Sequence, residues 1–187
     1  MSVVDEIKNY APCNEQEACD KAVILDFLEK NTDAFSRDNL VAHMTASSWI
    51  VNPARTKVVM VYHRIYDSWS WTGGHADGER DLLSVALREA REETGLRHVR
   101  PVSDRIFSLE VLTVDGHEKR GVYVPSHLHL NVTYLLEADE GDTLRVCEAE
   151  NSGVRWFSLE AALEASTEPW FVERIYKKLN EKLSLFA

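Results

Sequence analysis

Residues Trp71–Leu96 read WTGGHADGERDLLSVALREAREETGL, and the fold turns on how this stretch is read. Gly73, Gly74 and Gly78 predict a glycine turn, where backbone without side chains can approach another group closely. A helix is expected from about Asp81, whose carboxylate can accept the free N–H groups of a first turn. It ends at Thr94-Gly95, with glycine where a left-handed cap is wanted. Leu82, Leu83, Ala86 and Ala90 recur at spacings of three and four, so that side packs. Glu89, Glu92 and Glu93 share the other side and converge. Three acids so placed repel unless something positive sits among them, and a hard divalent cation with a preference for oxygen ligands would serve.

Arg88 and Arg91 are interleaved with these acids, and REAREE taken alone also fits a solvated, salt-bridged face. The longer pattern weighs against that. A double glycine, a fixed interval and then R-E-x-x-E-E-x-G-hydrophobic resembles the signature of the Nudix hydrolases. With Gly74 as the first glycine, Arg88, Glu89, Ala90, Glu92, Glu93, Gly95 and Leu96 fall in place. One position departs: the slot of the first glutamate holds Arg80, and the acid stands one residue earlier at Glu79.

The resemblance implies an α/β fold, an α/β/α sandwich with a mixed β-sheet, preceded here by an N-terminal helical extension. Residues 1–40 are assigned to that extension and 41–187 to the Nudix domain. It further implies hydrolysis of the pyrophosphate bond of a nucleoside diphosphate linked to another moiety. Mg²⁺, with Mn²⁺ as the alternative, would be held by Glu89, Glu92 and Glu93. Glu92 and Glu93 would act in catalysis, with Arg88 orienting the glutamates. Family members often supply a general base from a loop outside the box, and the Glu148-Ala-Glu150 loop offers Glu150; a solvated acidic loop reads the same way. Gly73 and Gly74 would admit the substrate's phosphates, and His75, Arg64 and His129 are further substrate contacts to test. Two other readings stay open. One is an isopentenyl-diphosphate-isomerase-like enzyme, although Trp71-Thr72-Gly73-Gly74 holds no cysteine where that chemistry uses one. The other is a nucleotide-binding Nudix domain without catalysis. No subgroup signature is legible: there is no proline at the distance typical of ADP-ribose hydrolases, and no tyrosine at that of dinucleoside polyphosphate hydrolases.

Composition bounds these readings. The chain has 187 residues, 44% hydrophobic and 28% charged, as one globular domain with a full core requires. A net charge of −10 argues against general nucleic-acid binding and against an anionic membrane surface. The expected partner is a small phosphoanhydride, bridged to the acidic protein by metal. Cys13, Cys19 and Cys147 are odd in number, which favours free thiols in a reducing compartment and a cytoplasmic protein.

Outside the box, Ala18, Ala22, Leu25 and Leu28 predict a helix over Glu15–Lys30, with a second short one over Arg37–Val41. This extension would pack on the sheet or on a second copy in a homodimer. Strands are expected at Met44–Val51, Lys57–His63 and Ile106–Val114, with a polar loop at Asp115–Arg120. Trp69 and Trp71 can wall the core or stack on a nucleobase. From His127 the sequence alternates. Leu128, Leu130, Val132 and Tyr134 take one face; His127, His129, Asn131 and Thr133 take the other, as in a half-buried strand facing either a cleft or solvent. No further histidine or cysteine stands at zinc-ligand spacing from His127 and His129. Val154–Phe157 reads as a strand, Leu159–Ala165 as a helix capped by Ser158, and Trp170–Leu183 as a last helix with Pro169 in its first turn.

Overall fold

The structure, a computed structural model, describes residues 2–65, 67–119 and 121–186. The chain begins with helices α1 (Val3–Asn9) and α2 (Glu15–Lys30), followed by strands β1 (Ala42–Val51), β2 (Lys57–His63), β3 (Ser68–Ser70) and β4 (Thr72–His75). Helix α3 (Leu82–Thr94) comes next. Then follow β5 (Arg100–Pro101), β6 (Ser108–Val114), the hairpin β7 (His117–Lys119) and β8 (Val122–Val124), β9 (His127–Glu137) and β10 (Asn151–Ser158). Helices α4 (Leu159–Ala165), α5 (Pro169–Phe171) and α6 (Lys177–Leu183) finish the fold, with a π-helical segment at Val172–Tyr176.

β1 and β9 run parallel through the middle of the sheet, with Ala42 opposite Leu128 and Val51 opposite Glu137. The remaining pairings are antiparallel: β2 and β4 on β1, β3 and β10 on β2, β5 and β6 on β9. The sheet is therefore mixed. Alternation along β1 separates two cores. Met44, Ala46 and Ile50 join Val132, Leu82, Val85, Ala86 and Ala90 beneath α3. Trp49 and Val51 join Leu135, Ile175, Tyr176, Leu179 and Leu183 beneath the C-terminal helices. Each large aliphatic so buried contributes about 1.5–3 kcal/mol, and together they pin helices to both faces.

Several expectations change. Residues 31–41 form turns instead of a helix over Arg37–Val41. Ser36 Oγ accepts from Asp38 N–H, and Asn39 Oδ1 from Val41 and Ala42 N–H, so side chains take the bonds a helix would need. Helix α2 forms over the expected span, and Leu25 and Leu28 pack against the core as expected, but the inward side differs in its first half. Ala18 and Ala22 are exposed, while Ile24 and Glu17 are buried. The acid is accepted inside because Lys182 meets it at 2.7 Å. β9 is not half-buried, since Asn131 and Thr133 are fully covered. Their polar atoms are satisfied by Thr45, Ser47 and Glu110. The Asp115–Arg120 loop contains β7, and Arg120 itself lies outside the described residues. The last helix passes through its π-helical turn so that neighbouring Ile175 and Tyr176 both face inward. Val3, Ile7 and Ile24 of the N-terminal helices sit in the same core as the sheet and α3.

Candidate active site

Asp81 caps α3 as its position suggests: its carboxylate accepts from Ser84 N–H at 3.1 Å and Ser84 Oγ–H at 2.8 Å. Gly95 closes the helix in the left-handed region, at φ 73°. Gly73 and Gly74 are not a turn. They lie in β4, paired with Ser47 and Ala46 of β1. Glycine is required there by contact. A Cβ on Gly74 would stand 2.4 Å from Glu89 Cδ, and one on Gly73 would stand 2.3 Å from Ser47 Oγ. The turn follows at 76–79, where Glu79 N–H donates to Ala76 O and Gly78 has φ +90°.

This close approach sets the carboxylates against the sheet. Glu93, 1% exposed, accepts from Gly73 N–H through Oε1 at 3.2 Å. Its Oε2 is buried without a hydrogen-bond partner and lies 4.0 Å from His63 Nε2. Burial pushes Glu93 well above the usual carboxylate range. The Gly73 N–H opposes that shift, and the charges of Glu89, Glu150 and Glu92 reinforce it. Glu89 is raised too, chiefly by burial, against the pull of Arg88. Arg88 Nη2 donates to Glu89 Oε1 at 2.9 Å and to the His75 carbonyl at 3.4 Å, which fixes Glu89 on β4. Burial lowers His63, favouring its neutral form.

Glu150 arrives from the loop before β10. Oxygens of Glu89, Glu93 and Glu150 lie within 4.8 Å of one another. Glu92 is exposed on the same helical turn and lies outside that group, though its charge acts on both Glu89 and Glu93. Asn151 explains how the loop is held. It is fully buried and donates through Nδ2 to the Glu93 carbonyl at 2.9 Å, while its Oδ1 accepts from Cys147 N–H at 3.3 Å. Neither Asn151 nor His63 stands out in the sequence. Both follow the logic of an adjacent motif residue: Asn151 comes after Glu150, and His63 closes the strand that pairs with β10.

The remaining positions divide. Glu79 does not join the acids; its carboxylate accepts from Arg80 and Asp81 N–H at 2.7 and 2.9 Å. Arg80 stacks on Phe35, 4.5 Å from the ring centre. Glu148 is exposed and outside the group. Arg64 is exposed in the turn just past His63. Trp71 packs against Phe171 and Tyr176, and Trp69 against Phe157, so both build walls. His75 and His129 meet each other, with ring centres 4.9 Å apart, in a histidine cluster that also holds His43 and His127.

The carboxylate site fits a hard divalent cation. Three acids share one small volume, one buried oxygen has no donor, and Gly74 leaves room for Glu89 alone. The NUDIX domain profile matches residues 42–179, most of the chain. The chain therefore belongs to the Nudix family. Its fold is similar to that of a Nudix-family hydrolase from Clostridium perfringens, with 21% identity, 78% of this chain and 98% of the other covered, and a TM-score of 0.54. The Mycobacterium smegmatis (M. smegmatis) Nudix hydrolase RenU gives 16%, 78%, 88% and 0.54. The C. elegans Ap4A hydrolase gives 18%, 76%, 96% and 0.51. No curated protein sequence matches the chain. Among the described residues, no helix is long and apolar enough to cross a membrane.

Proposed function

We propose that this chain is a metal-dependent Nudix pyrophosphohydrolase acting on a nucleoside diphosphate linked to another moiety. One observation carries the reading: Glu93, nearly fully buried, keeps an oxygen without a hydrogen-bond partner beside two further carboxylates. Glu89, Glu93 and Glu150 would hold the cation, with Glu92 joining from the exposed rim. When bound, Mg²⁺ or Mn²⁺ supplies charge neutralisation of the phosphates and a more acidic water. Arg88 keeps Glu89 oriented through a charge-assisted hydrogen bond. Gly73 and Gly74 keep β4 close enough that Glu93 stays anchored to a backbone N–H. Glu150, the exposed member of the group, takes the proton from attacking water. His63 Nε2 lies 4.0 Å from Glu93 Oε2, and burial favours its neutral form.

The departure at Arg80 does not weaken this reading, because Arg80 is engaged by Phe35 and Glu79 by backbone N–H groups. A phosphate-release screen with Mg²⁺ over dinucleoside polyphosphates, nucleotide sugars and oxidised nucleoside triphosphates tests it. Turnover of at least one class, abolished by chelation, is expected. Binding without turnover across the panel would leave a nucleotide-binding domain instead.

A further inference from the structure

Strand alternation gives the sheet a second cluster on the face away from α3. Gly74 faces Glu89 on α3, so the side chain of the next residue, His75, points the other way. His75 is paired with Thr45, two residues from His43 on β1. His43 is paired with His129 on the parallel strand β9, and His127 stands two residues before His129. Three strands thus deliver four imidazoles to one side. One nitrogen from each lies within 4.8 Å of those of the others.

Two of these rings are set in a defined orientation. His43 Nδ1–H donates to the Asn39 carbonyl at 3.0 Å, and His127 Nδ1–H to the Pro125 carbonyl at 2.8 Å. Each therefore presents a bare Nε2, in the manner of metal-bound histidines whose second nitrogen is tied to a carbonyl. His43 is 4% exposed, and its Nε2 has no hydrogen-bond partner. His127 Nε2 and His129 Nε2 are 3.2 Å apart. That is close to the edge of a tetrahedron with metal–nitrogen bonds of about 2.0–2.1 Å. Rings this close repel one another when protonated, so the cluster is unsuited to anions and suited to a cation.

We propose that His43, His75, His127 and His129 bind a borderline divalent metal ion of the zinc type, at a site separate from the carboxylates of α3. Imidazole nitrogens select such ions, whereas Mg²⁺ prefers oxygen. Binding would replace the His127–His129 hydrogen bond, and the proton on His129 Nε2 would move to its Nδ1. The ion would join β1, β4 and β9, the strands that position Gly73 and Gly74.

The test uses the full chain, stripped with chelator and titrated with Zn²⁺ under excess Mg²⁺ in competition with a chromophoric chelator. One Zn²⁺ per chain is expected. Zinc-edge X-ray absorption on the wild type should give a nitrogen-dominated shell at about 2.0–2.1 Å. His129→Gln should weaken Zn²⁺ binding at least tenfold, and Glu93→Gln should leave it unchanged. No Zn²⁺ retained under Mg²⁺, an oxygen-dominated shell, or loss of binding in Glu93→Gln alone would overturn the site. The absorption measurement needs no variant, so a variant that fails to fold does not decide the matter. Zn²⁺ binding without hydrolysis would count against the proposed activity and leave this site standing.

Discussion

Glu17 and Glu93 are the same residue at almost the same burial, 0% and 1% exposed, yet they are held in opposite states. Glu17 lies between α2 and the C-terminal helix. Its Oε1 accepts from Lys182 Nζ at 2.7 Å and Ser108 Oγ at 2.8 Å. Its Oε2 accepts from Tyr10 OH at 2.7 Å and Cys13 N–H at 2.8 Å. Burial pushes Glu17 up, but the bond from Lys182, the Cys13 N–H and the charges of Lys178 and Lys182 outweigh it and bring it down to about 2. Glu93 has one backbone N–H, two neighbouring acids and an oxygen without a donor. The first region carries its own cations and is finished by folding. The second offers Glu93 no cation, since Arg88 is bonded to Glu89, and that is the charge the proposed metal would supply.

Removing the cation from the finished region should have the largest effect. Lys182→Met leaves Glu17 buried without its nearest counter-charge, so unfolding in urea should show a loss of about 3–5 kcal/mol. The pH dependence has a definite sign. Because Glu17 lies below its ordinary value of 4.5, its contribution is full above that value and is lost as pH falls towards about 2. Wild-type stability should drop through that window, and Glu17→Gln should flatten the dependence there.

At the unfinished region the effect should move from stability to rate. Glu93→Gln and Glu92→Gln are each expected to lower Mg²⁺-dependent turnover by about 10² or more. Only Glu93→Gln should also raise the melting temperature, because only there does burial penalise the carboxylate. Equal melting shifts in the two variants would erase the contrast with Glu17.

Gly74→Ala should sharpen it. The new Cβ meets the Glu89 carboxylate, which must shift, at a cost of about 1–3 kcal/mol. A turnover loss of at least tenfold with CD unchanged would show that the acids act through placement. Arg80→Glu should do least. It gains about 0.3–1 kcal/mol at the start of α3 and loses about 0.5–1 kcal/mol of stacking on Phe35. The Michaelis constant and the melting temperature should both stay near wild type; a clear rise in the Michaelis constant would place Arg80 at the substrate.

Local pattern was sufficient for the box helix, its Asp81 cap, its Gly95 stop and the Glu89–Glu93 pair. Each depends on residues within one or two helical turns, where spacing is geometry. The same holds for most strands and for Ser158 at the start of α4. The place of Glu17 on the inward side of α2 could not be read this way. Glu17 looks like a surface acid until Lys178 and Lys182, from the far end of the chain, are brought beside it. Nor could β9 be read as buried on both faces, because Glu110 and Thr45 satisfy its polar side from other strands. His127 and His129 have no zinc partners at sequence spacing, yet His43 and His75 reach them through strand pairing. Asn151 and His63 likewise meet Glu93 only in the fold. Periodicity determines what one element presents, whereas register and layer packing decide what meets it, and buried charge takes its meaning from that encounter.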